Sequence, residues 1–207
     1  MVIKKQDSNQ VAKILLKINA VKLQPSIFFT WSSGRKSPIY CDNRLLLSHV
    51  EERKIIRNLF CKYIEHYFDS FDYICGVATG AIPHGMMIAE KLNYPFIYVR
   101  GKAKNHGRQN QIEGELKPGS KVLVIEDLIS TGLSSLKAIQ AIEESGSKVV
   151  GLISIFTYGI FDLKNINTPS FSLCDYNTLI EFADKKKIIS KKDKAILTNW
   201  QNESQLR

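Results

Sequence analysis

Residues 122–134 read VLVIEDLISTGLS, and this stretch decides how the whole chain is interpreted. Four apolar residues, Val122 to Ile125, lead directly into the adjacent carboxylates of Glu126 and Asp127. A short apolar run is typical of a strand covered on both faces of a parallel sheet, and the residues after Gly132 have helical spacing. Because successive side chains of a strand alternate in direction, the two carboxylates are expected to diverge where the strand ends.

Strands and helices alternate around this stretch. Apolar runs predict strands over 73–78, 94–99, 121–127 and 148–156, with helices over 80–92 and 130–146, the second closed by Gly146. This alternation predicts an α/β fold with a central, mainly parallel sheet flanked by helices. Ligands of such sheets bind beyond the carboxyl ends of the strands, which is where Glu126 and Asp127 fall.

The two ends of the chain have weaker patterns. Apolar spacing predicts a helix over 8–22, whereas 26–47 mixes aromatic residues with turn formers and predicts short strands. Capping pairs predict three more helix starts, at Ser48 with Glu51, Thr178 with Glu181 and Ser190 with Asp193. We expect a single domain over 1–207, with N-terminal elements at about 1–47, a core at about 48–160 and a C-terminal helical segment at about 161–207.

Composition narrows the function classes. The 207 residues are 44% hydrophobic and 24% charged, which is ordinary for one soluble globular domain, and we expect no membrane segment and a cytoplasmic location. The net charge of +9 is compatible with nucleic acid, a membrane surface or a small anionic substrate, and no nucleic-acid-binding module is apparent. No cysteine belongs to a C-x-x-C pair, so the four are expected to be reduced, and some of them to be buried: Cys41, Cys61, Cys75 and Cys174.

The loop after the two acids predicts an anion site. Backbone N–H groups and hydroxyls at a helix N-terminus attract phosphate, and Gly132 allows close approach of the backbone. Carboxylates repel phosphate, so Glu126 and Asp127 are expected to face hydroxyl groups or a metal ion. A ribose phosphate offers both hydroxyls and phosphate. The plainer alternative is a strand, loop and helix in which a serine or threonine caps the helix.

The motif itself is specific. The sequence VLVIEDLISTG at 122–132 resembles the phosphoribosyl-pyrophosphate (PRPP) motif of type I phosphoribosyltransferases. The P-loop and the G-x-G-x-x-G fingerprint are both absent. A long connection, 101–120, also carries cationic residues and glycines, which predicts either a disordered surface loop or a cationic lid over a polyphosphate. Its residues 102–112 are expected to be poorly ordered without ligand.

Three further segments resemble the orotate phosphoribosyltransferase family in particular. YVRGKAKNHG at 98–107 is similar to its mobile loop, FFTWSSGRKSPIYCDNR at 28–44 to its N-terminal hood, and GVATGAIPHGMMIAEKL at 76–92 to its pyrophosphate loop. The likeness implies the type I phosphoribosyltransferase fold, with the hood at about 1–47 and a long flexible lid loop. It departs at four positions where some members have lysine or arginine: Ser32, Gly80, Gly101 and Tyr158.

The resemblance also implies a reaction and a set of site residues. The reaction transfers a 5-phosphoribosyl group from PRPP to N1 of orotate, with Mg²⁺, giving orotidine 5′-monophosphate and pyrophosphate. Catalytic roles fall on Asp127, Glu126, Lys104 and His106. The PRPP-binding set is Arg100, Lys104, His106, Glu126, Asp127, Leu128, Ile129, Ser130, Thr131, Gly132, Leu133 and Ser134. For orotate the candidates are Ser130, Lys36 and Arg44.

The implied assembly is a homodimer in which each lid reaches the neighbouring active site, with no direct protein ligand set for the metal. Association with a separate orotidine-5′-phosphate decarboxylase is a further expectation, because 207 residues leave no room for a second, barrel-shaped domain. Two alternatives stay open. One is a phosphoribosyltransferase for a purine base, and the other is a PRPP-sensing regulator that binds nucleic acid.

Overall fold

The computed structural model describes residues 3–31, 34–101, 111–163 and 166–205. Its α-helices are α1 (Lys5–Lys17), α2 (Val50–Tyr67), α3 (Ala81–Leu92), α4 (Leu133–Glu144), α5 (Tyr176–Lys185) and α6 (Lys191–Gln205), with a 3-10 helix at Asn43–Ser48. Its strands are β1 (Val21–Leu23), β2 (Phe29–Thr30), β3 (Lys36–Ser37), β4 (Ile39–Cys41), β5 (Tyr73–Val77), β6 (Phe96–Val99), β7 (Ile112–Glu113), β8 (Lys121–Ile129), β9 (Lys148–Thr157) and β10 (Ser170–Asp175).

The central sheet has the strand order β10-β9-β8-β5-β6-β7. Within the described ranges every neighbouring pair is parallel except β6 with β7. Alternate residues of β8 pack into different layers: Val122 and Val124 join the cluster that contains α4, whereas Leu123 and Ile125 join the one that contains α2 and α3. The predicted α/β architecture is confirmed, and both faces of the sheet are covered by helices.

The predicted hood, at about residues 1–47, contacts the residue that follows the carboxyl end of β9. Strands β1 and β4 pair antiparallel, as do β2 and β3. The backbone N–H of Cys41 donates to the hydroxyl of Tyr158 at 3.0 Å, and the ring of Trp31 lies 4.7 Å from that of Tyr158. Helix α6 joins the contact, because Trp200 Nε1 donates to the carbonyl of Lys36 at 3.0 Å. The hood is thereby held between β9 and α6.

Several predicted boundaries are wrong. The helix predicted over 8–22 ends at Lys17, since Asn19 adopts a left-handed conformation (φ 56°) and the chain turns into β1. Ser48 does not cap α2, because it ends the 3-10 helix and His49 occupies the cap position without a side-chain bond. Asp175, rather than Thr178, caps α5.

The capping pair Ser190 with Asp193 is confirmed. The backbone N–H of Ser190 donates to Asp193 Oδ2 at 3.0 Å, and the N–H of Asp193 donates to Ser190 Oγ at 3.1 Å. Gly146 follows the last turn of α4 with a left-handed φ of 81°, as predicted for the end of that helix.

The segment predicted to be helical over about 161–207 also contains a strand. β10 pairs with β9 along its length, with Phe171 opposite Ile153 and Cys174 opposite Phe156, and it forms one edge of the central sheet. Serines interrupt the apolar residues of this strand, which weakens its signal in the sequence. The core sheet therefore continues past residue 160.

The four cysteines are free, as predicted, and all four are buried, whereas burial was expected only for some of them. Across the residues that the structure describes, no helix combines the length and the apolar character that crossing a bilayer requires.

Candidate active site

Strand β8 continues two residues beyond its predicted end at Asp127. Leu128 and Ile129 still pair with β9, opposite Phe156 and Thr157. The pairing with β5 stops earlier, at Gly76 opposite Ile125. The two acids therefore lie on a strand that is supported on one side only, at the carboxyl end of the sheet, where parallel α/β folds bind ligands.

The side chains of Glu126 and Asp127 contact different elements, but the predicted divergence of the two carboxylates is wrong, because the carboxyl group of Asp127 lies within hydrogen-bonding reach of that of Glu126. Glu126 is 3% exposed, and its Oε1 accepts a hydrogen bond of 3.0 Å from Ser135 Oγ in the first turn of α4. Asp127 contacts the other side of the site: a Cβ placed on Gly80 would lie 2.2 Å from Asp127 Oδ2. One carboxyl group thus anchors α4, and the other lies beneath the loop that precedes α3.

Burial sets the electrostatics of both acids. It raises the pKa of Glu126 well above its usual range, and the charge of Asp127 adds to that shift. Burial also raises the pKa of Asp127, although its own N–H, the N–H of Leu128 and the charge of Arg44 all oppose the increase. A cation that arrives beside Asp127 would therefore stabilise the ionised carboxylate strongly.

The loop between β8 and α4 leads into a helix whose N-terminus no side chain caps. Gly132, with φ 73°, occupies the cap position of α4, and no side chain caps the helix. The plain alternative, a helix capped by serine or threonine, is therefore wrong. Thr131, Leu133 and Ser134 are exposed, and the first N–H groups of the helix have no partner inside it.

A pocket of about 120 Å³ adjoins this loop and lies between the ends of β5 and β6 and the first turns of α4. Its polar lining includes Arg100, Ser134 and Lys137. Arg100 also forms an ion pair with Glu113, Nη1 to Oε1 at 3.4 Å. Sequence reasoning missed Lys137. The signal was its spacing, because residues three apart on a helix lie on one face, and Lys137 follows Ser134 by three residues.

The two catalytic residues predicted in the lid, Lys104 and His106, lie outside the described residues. Of the segment 102–112 that is expected to be poorly ordered, only the end lies within the described residues, and there Ile112 begins β7 and pairs with β6. The backbone N–H of Arg100 also donates to the carbonyl of Gln111 at 2.8 Å. A strand of two residues is too short to show a periodic pattern in the sequence.

The two cationic candidates for orotate differ in position. Arg44 holds Asp42 through two hydrogen bonds of 2.6 and 2.8 Å, and its charge acts on Asp127. Lys36 instead donates to Thr30 Oγ1 at 2.7 Å within the hairpin of β2 and β3. The described contacts therefore bring Arg44, rather than Lys36, to the acidic residues.

His84 is a buried neighbour of the site that the sequence did not reveal. It is 2% exposed, its ring bonds to the backbone of Asn43, and its Nε2 has no partner among the described residues. Burial lowers the pKa of His84 from 6.5 to about 4. Protonation would place an uncompensated charge in the core.

The stability of the protein is expected to fall as the pH is lowered from 6.5 to 4. Within this window the unfolded chain binds a proton at His84 that the folded chain does not, so acid favours unfolding. Wild type should lose about 3 kcal/mol more of its free energy of unfolding across the window than the His84→Gln variant. Urea unfolding at several pH values measures this, and parallel curves for both proteins would contradict it.

The chain is similar to known phosphoribosyltransferases over most of its length. The model of the phosphoribosyl transferase domain family matches residues 45–184. An orotate phosphoribosyltransferase of Staphylococcus saprophyticus is 49% identical over 196 residues, which cover 93% of this chain and 97% of that protein. The chain belongs to the orotate phosphoribosyltransferase family. The predicted family, fold class and transferase activity are confirmed by this relative and by the solved structures.

Two solved structures of related proteins share the fold. Orotate phosphoribosyltransferase from Aeropyrum pernix superposes with a TM-score of 0.74 at 29% identity, covering 87% of this chain and 99% of its own. UMP synthase of Leishmania donovani superposes with a TM-score of 0.83 at 28% identity and covers 96% of this chain. The chain spans 43% of the length of that Leishmania protein.

Two departures from the orotate phosphoribosyltransferase pattern now have structural explanations. Tyr158, where some members have arginine, is 2% exposed and bonds to the hood, so it serves packing. At Gly80, where some members have lysine, the carboxylate of Asp127 occupies the space that a Cβ would fill. Tyr158 is thus connected to the site through the hood, and Gly80 is connected to it through Asp127.

Proposed function

We propose that the chain transfers the 5-phosphoribosyl group of PRPP to N1 of orotate, and that Asp127 is its principal catalytic residue. The observation that carries this proposal is the position of Asp127 near the open carboxyl end of β8, which a short loop connects to a helix N-terminus that suits a phosphate. The names of relatives about half identical to this chain support orotate over a purine base.

The test is a spectrophotometric assay of orotate loss with PRPP and Mg²⁺. Consumption of orotate, with adenine, guanine and hypoxanthine left unchanged, is expected. Turnover of a purine would favour a purine phosphoribosyltransferase. Tight, sequence-dependent RNA binding at physiological salt without turnover of any base would favour the regulator, because nonspecific backbone binding falls steeply with salt.

In the proposed reaction the bond from C1′ to the pyrophosphate oxygen breaks as orotate N1 bonds to C1′. The transition state carries positive charge on the ribose ring and growing negative charge on the pyrophosphate. Asp127 would hold a ribose hydroxyl and stabilise the positive ring. Arg100, with Lys104 and His106, would meet the pyrophosphate. Orotate N1 is acidic enough to react as an anion, so no general base is required.

The loop residues 128–134 would bind the 5′-phosphate through their backbone and hydroxyl groups, and Ser130 would also contact orotate. Glu126 supports the same site from behind, because its carboxyl group already holds Ser135. A ribose hydroxyl would have to compete with that bond. Of the two cations considered for the carboxylate of orotate, Arg44 is the better placed, since its charge already acts on Asp127.

Mg²⁺ fits the donors present here. Magnesium commonly keeps several waters and binds substrate phosphates, so the ion would be held through PRPP and water near Asp127, whose ionised form a nearby cation would stabilise. Among the described residues, no group of three or more histidine, cysteine, aspartate or glutamate side chains could hold a metal ion. When bound, the ion would neutralise charge on the pyrophosphate.

We also propose a homodimer in which each lid closes over the neighbouring active site. This assembly rests on the family likeness, and Arg100, which lies directly before the predicted lid in the sequence, lines the pocket. The proposed location is the cytoplasm, where the four free cysteines would stay reduced. Association with an orotidine-5′-phosphate decarboxylase chain is proposed from the family likeness.

Mixing two inactive variants is expected to restore activity if the lid acts across the interface. Asp127→Asn and Lys104→Ala would each be nearly inactive alone. In a mixed dimer one site then combines an intact Asp127 with an intact Lys104, so random exchange should give about a quarter of wild-type activity. If each lid closes over its own subunit, every site keeps one defect, and mixing restores nothing.

A further inference from the structure

Asn43 is a buried polar residue whose side chain bridges the hood and the acidic strand. It is 1% exposed and begins the 3-10 helix after β4. Its Nδ2 donates to the backbone carbonyl of Asp127 at 2.5 Å, and its Oδ1 accepts from Cys41 Sγ at 3.3 Å. The backbone of Asn43 also bonds to the ring of His84 in α3. Three elements that meet at the site are thereby joined through one residue.

The hydrogen bond from Asn43 to Asp127 lies where β8 extends beyond its neighbour β5. β8 pairs with β5 up to Ile125, and β5 ends at Val77, so beyond this point β8 is supported by β9 alone. The side-chain amide of Asn43 takes the place of the missing strand at the carbonyl of Asp127. A strand held on both sides keeps its backbone fixed, and the backbone of Asp127 determines where its carboxylate lies.

We propose that Asn43 is a positioning residue for the transfer reaction, which fixes the backbone of Asp127 and thereby couples the orotate-side hood to the ribose-side acid. This inference rests on the proposed function, because it requires Asp127 to act in the transition state. Asn43 itself need not touch substrate. Its loss should therefore reproduce the kinetic signature of a damaged Asp127 rather than that of a lost binding contact.

The first test compares Asn43→Ala and Asn43→Asp. Asn43→Asp has nearly the same shape and can still accept from Cys41, but it cannot donate to the carbonyl of Asp127. Both variants are expected to lower kcat about tenfold or more, with KM for PRPP changed less than about threefold. Asn58→Asp, an exposed change of the same charge on α2, is the matched control and should leave kcat and KM unchanged.

The second test is a double-mutant cycle with Asp127→Asn. If Asn43 acts through Asp127, then Asn43→Ala should cost little further activity in the Asp127→Asn background. If Asn43→Ala lowered kcat by the same factor in both backgrounds, its role would be merely structural and the inference would be overturned. A folded Asn43→Asp variant with wild-type kcat would also overturn it. Thermal unfolding identifies the folded variants, and if Asn43→Ala does not fold, the cycle is run with Asn43→Asp. If Asp127→Asn itself keeps wild-type kcat, the proposed role of Asp127 fails instead.

Discussion

Replacing Asp127 with asparagine is expected to lower kcat on the order of a hundredfold while changing KM for PRPP less than about threefold. Asparagine keeps the shape of the side chain and can still bond to a ribose hydroxyl, so binding of the ground state is largely preserved. It lacks the negative charge that opposes the positive charge of the ribose ring. Because this charge develops in the transition state, its loss acts on kcat.

Steady-state kinetics with both substrates measure this effect. Asp69→Asn removes the same charge from an exposed position and is the control for the change in net charge. A variant of Asp127 that retained kcat but showed a higher KM for PRPP would mean that the carboxylate only binds the substrate. The principal residue of the proposed mechanism would then have to be sought elsewhere in the site.

Replacing Gly132 with alanine is expected to lower kcat/KM for PRPP on the order of a hundredfold, because the phosphate loop must move. Gly132 has a φ of 73°, a conformation that costs an alanine about 1 kcal/mol. An added Cβ would also lie 2.7 Å from the ring of Phe161. The loop or the ring must shift, and the N–H groups that would bind the 5′-phosphate shift with the loop.

Two further variants separate these causes. Gly119 has a similar φ of 81° and open space around a Cβ, so Gly119→Ala carries the backbone strain without the contact and should retain activity. Adding Phe161→Ala to Gly132→Ala removes the ring and should recover part of kcat/KM. If Gly119→Ala and Gly132→Ala lowered kcat/KM equally, the contact with Phe161 and the loop position would be irrelevant.

The sequence alone determined the features that depend on neighbouring residues. The alternation of apolar strands and helices indicated the parallel sheet, and the run from Val122 to Asp127 indicated two adjacent carboxylates near the carboxyl end of one strand. The loop 130–134 was predicted to be an anion site because its glycine and hydroxyl residues lie close together in the sequence. Such features follow from local backbone geometry, in which the period of two in a strand places each side chain.

Only the tertiary structure decided which distant residues surround these acids. Asn43 bonds to Asp127 across 84 positions of sequence, and Tyr158 bonds to the hood across 117. The space occupied by the carboxylate of Asp127 depends on Gly80 in another loop. No periodicity records such contacts, because each depends on how the strand order and the hood bring separate segments together. The acidic pair and its loop follow from local sequence, whereas the support that positions Asp127 follows from the packing of β8 against segments far away in the chain.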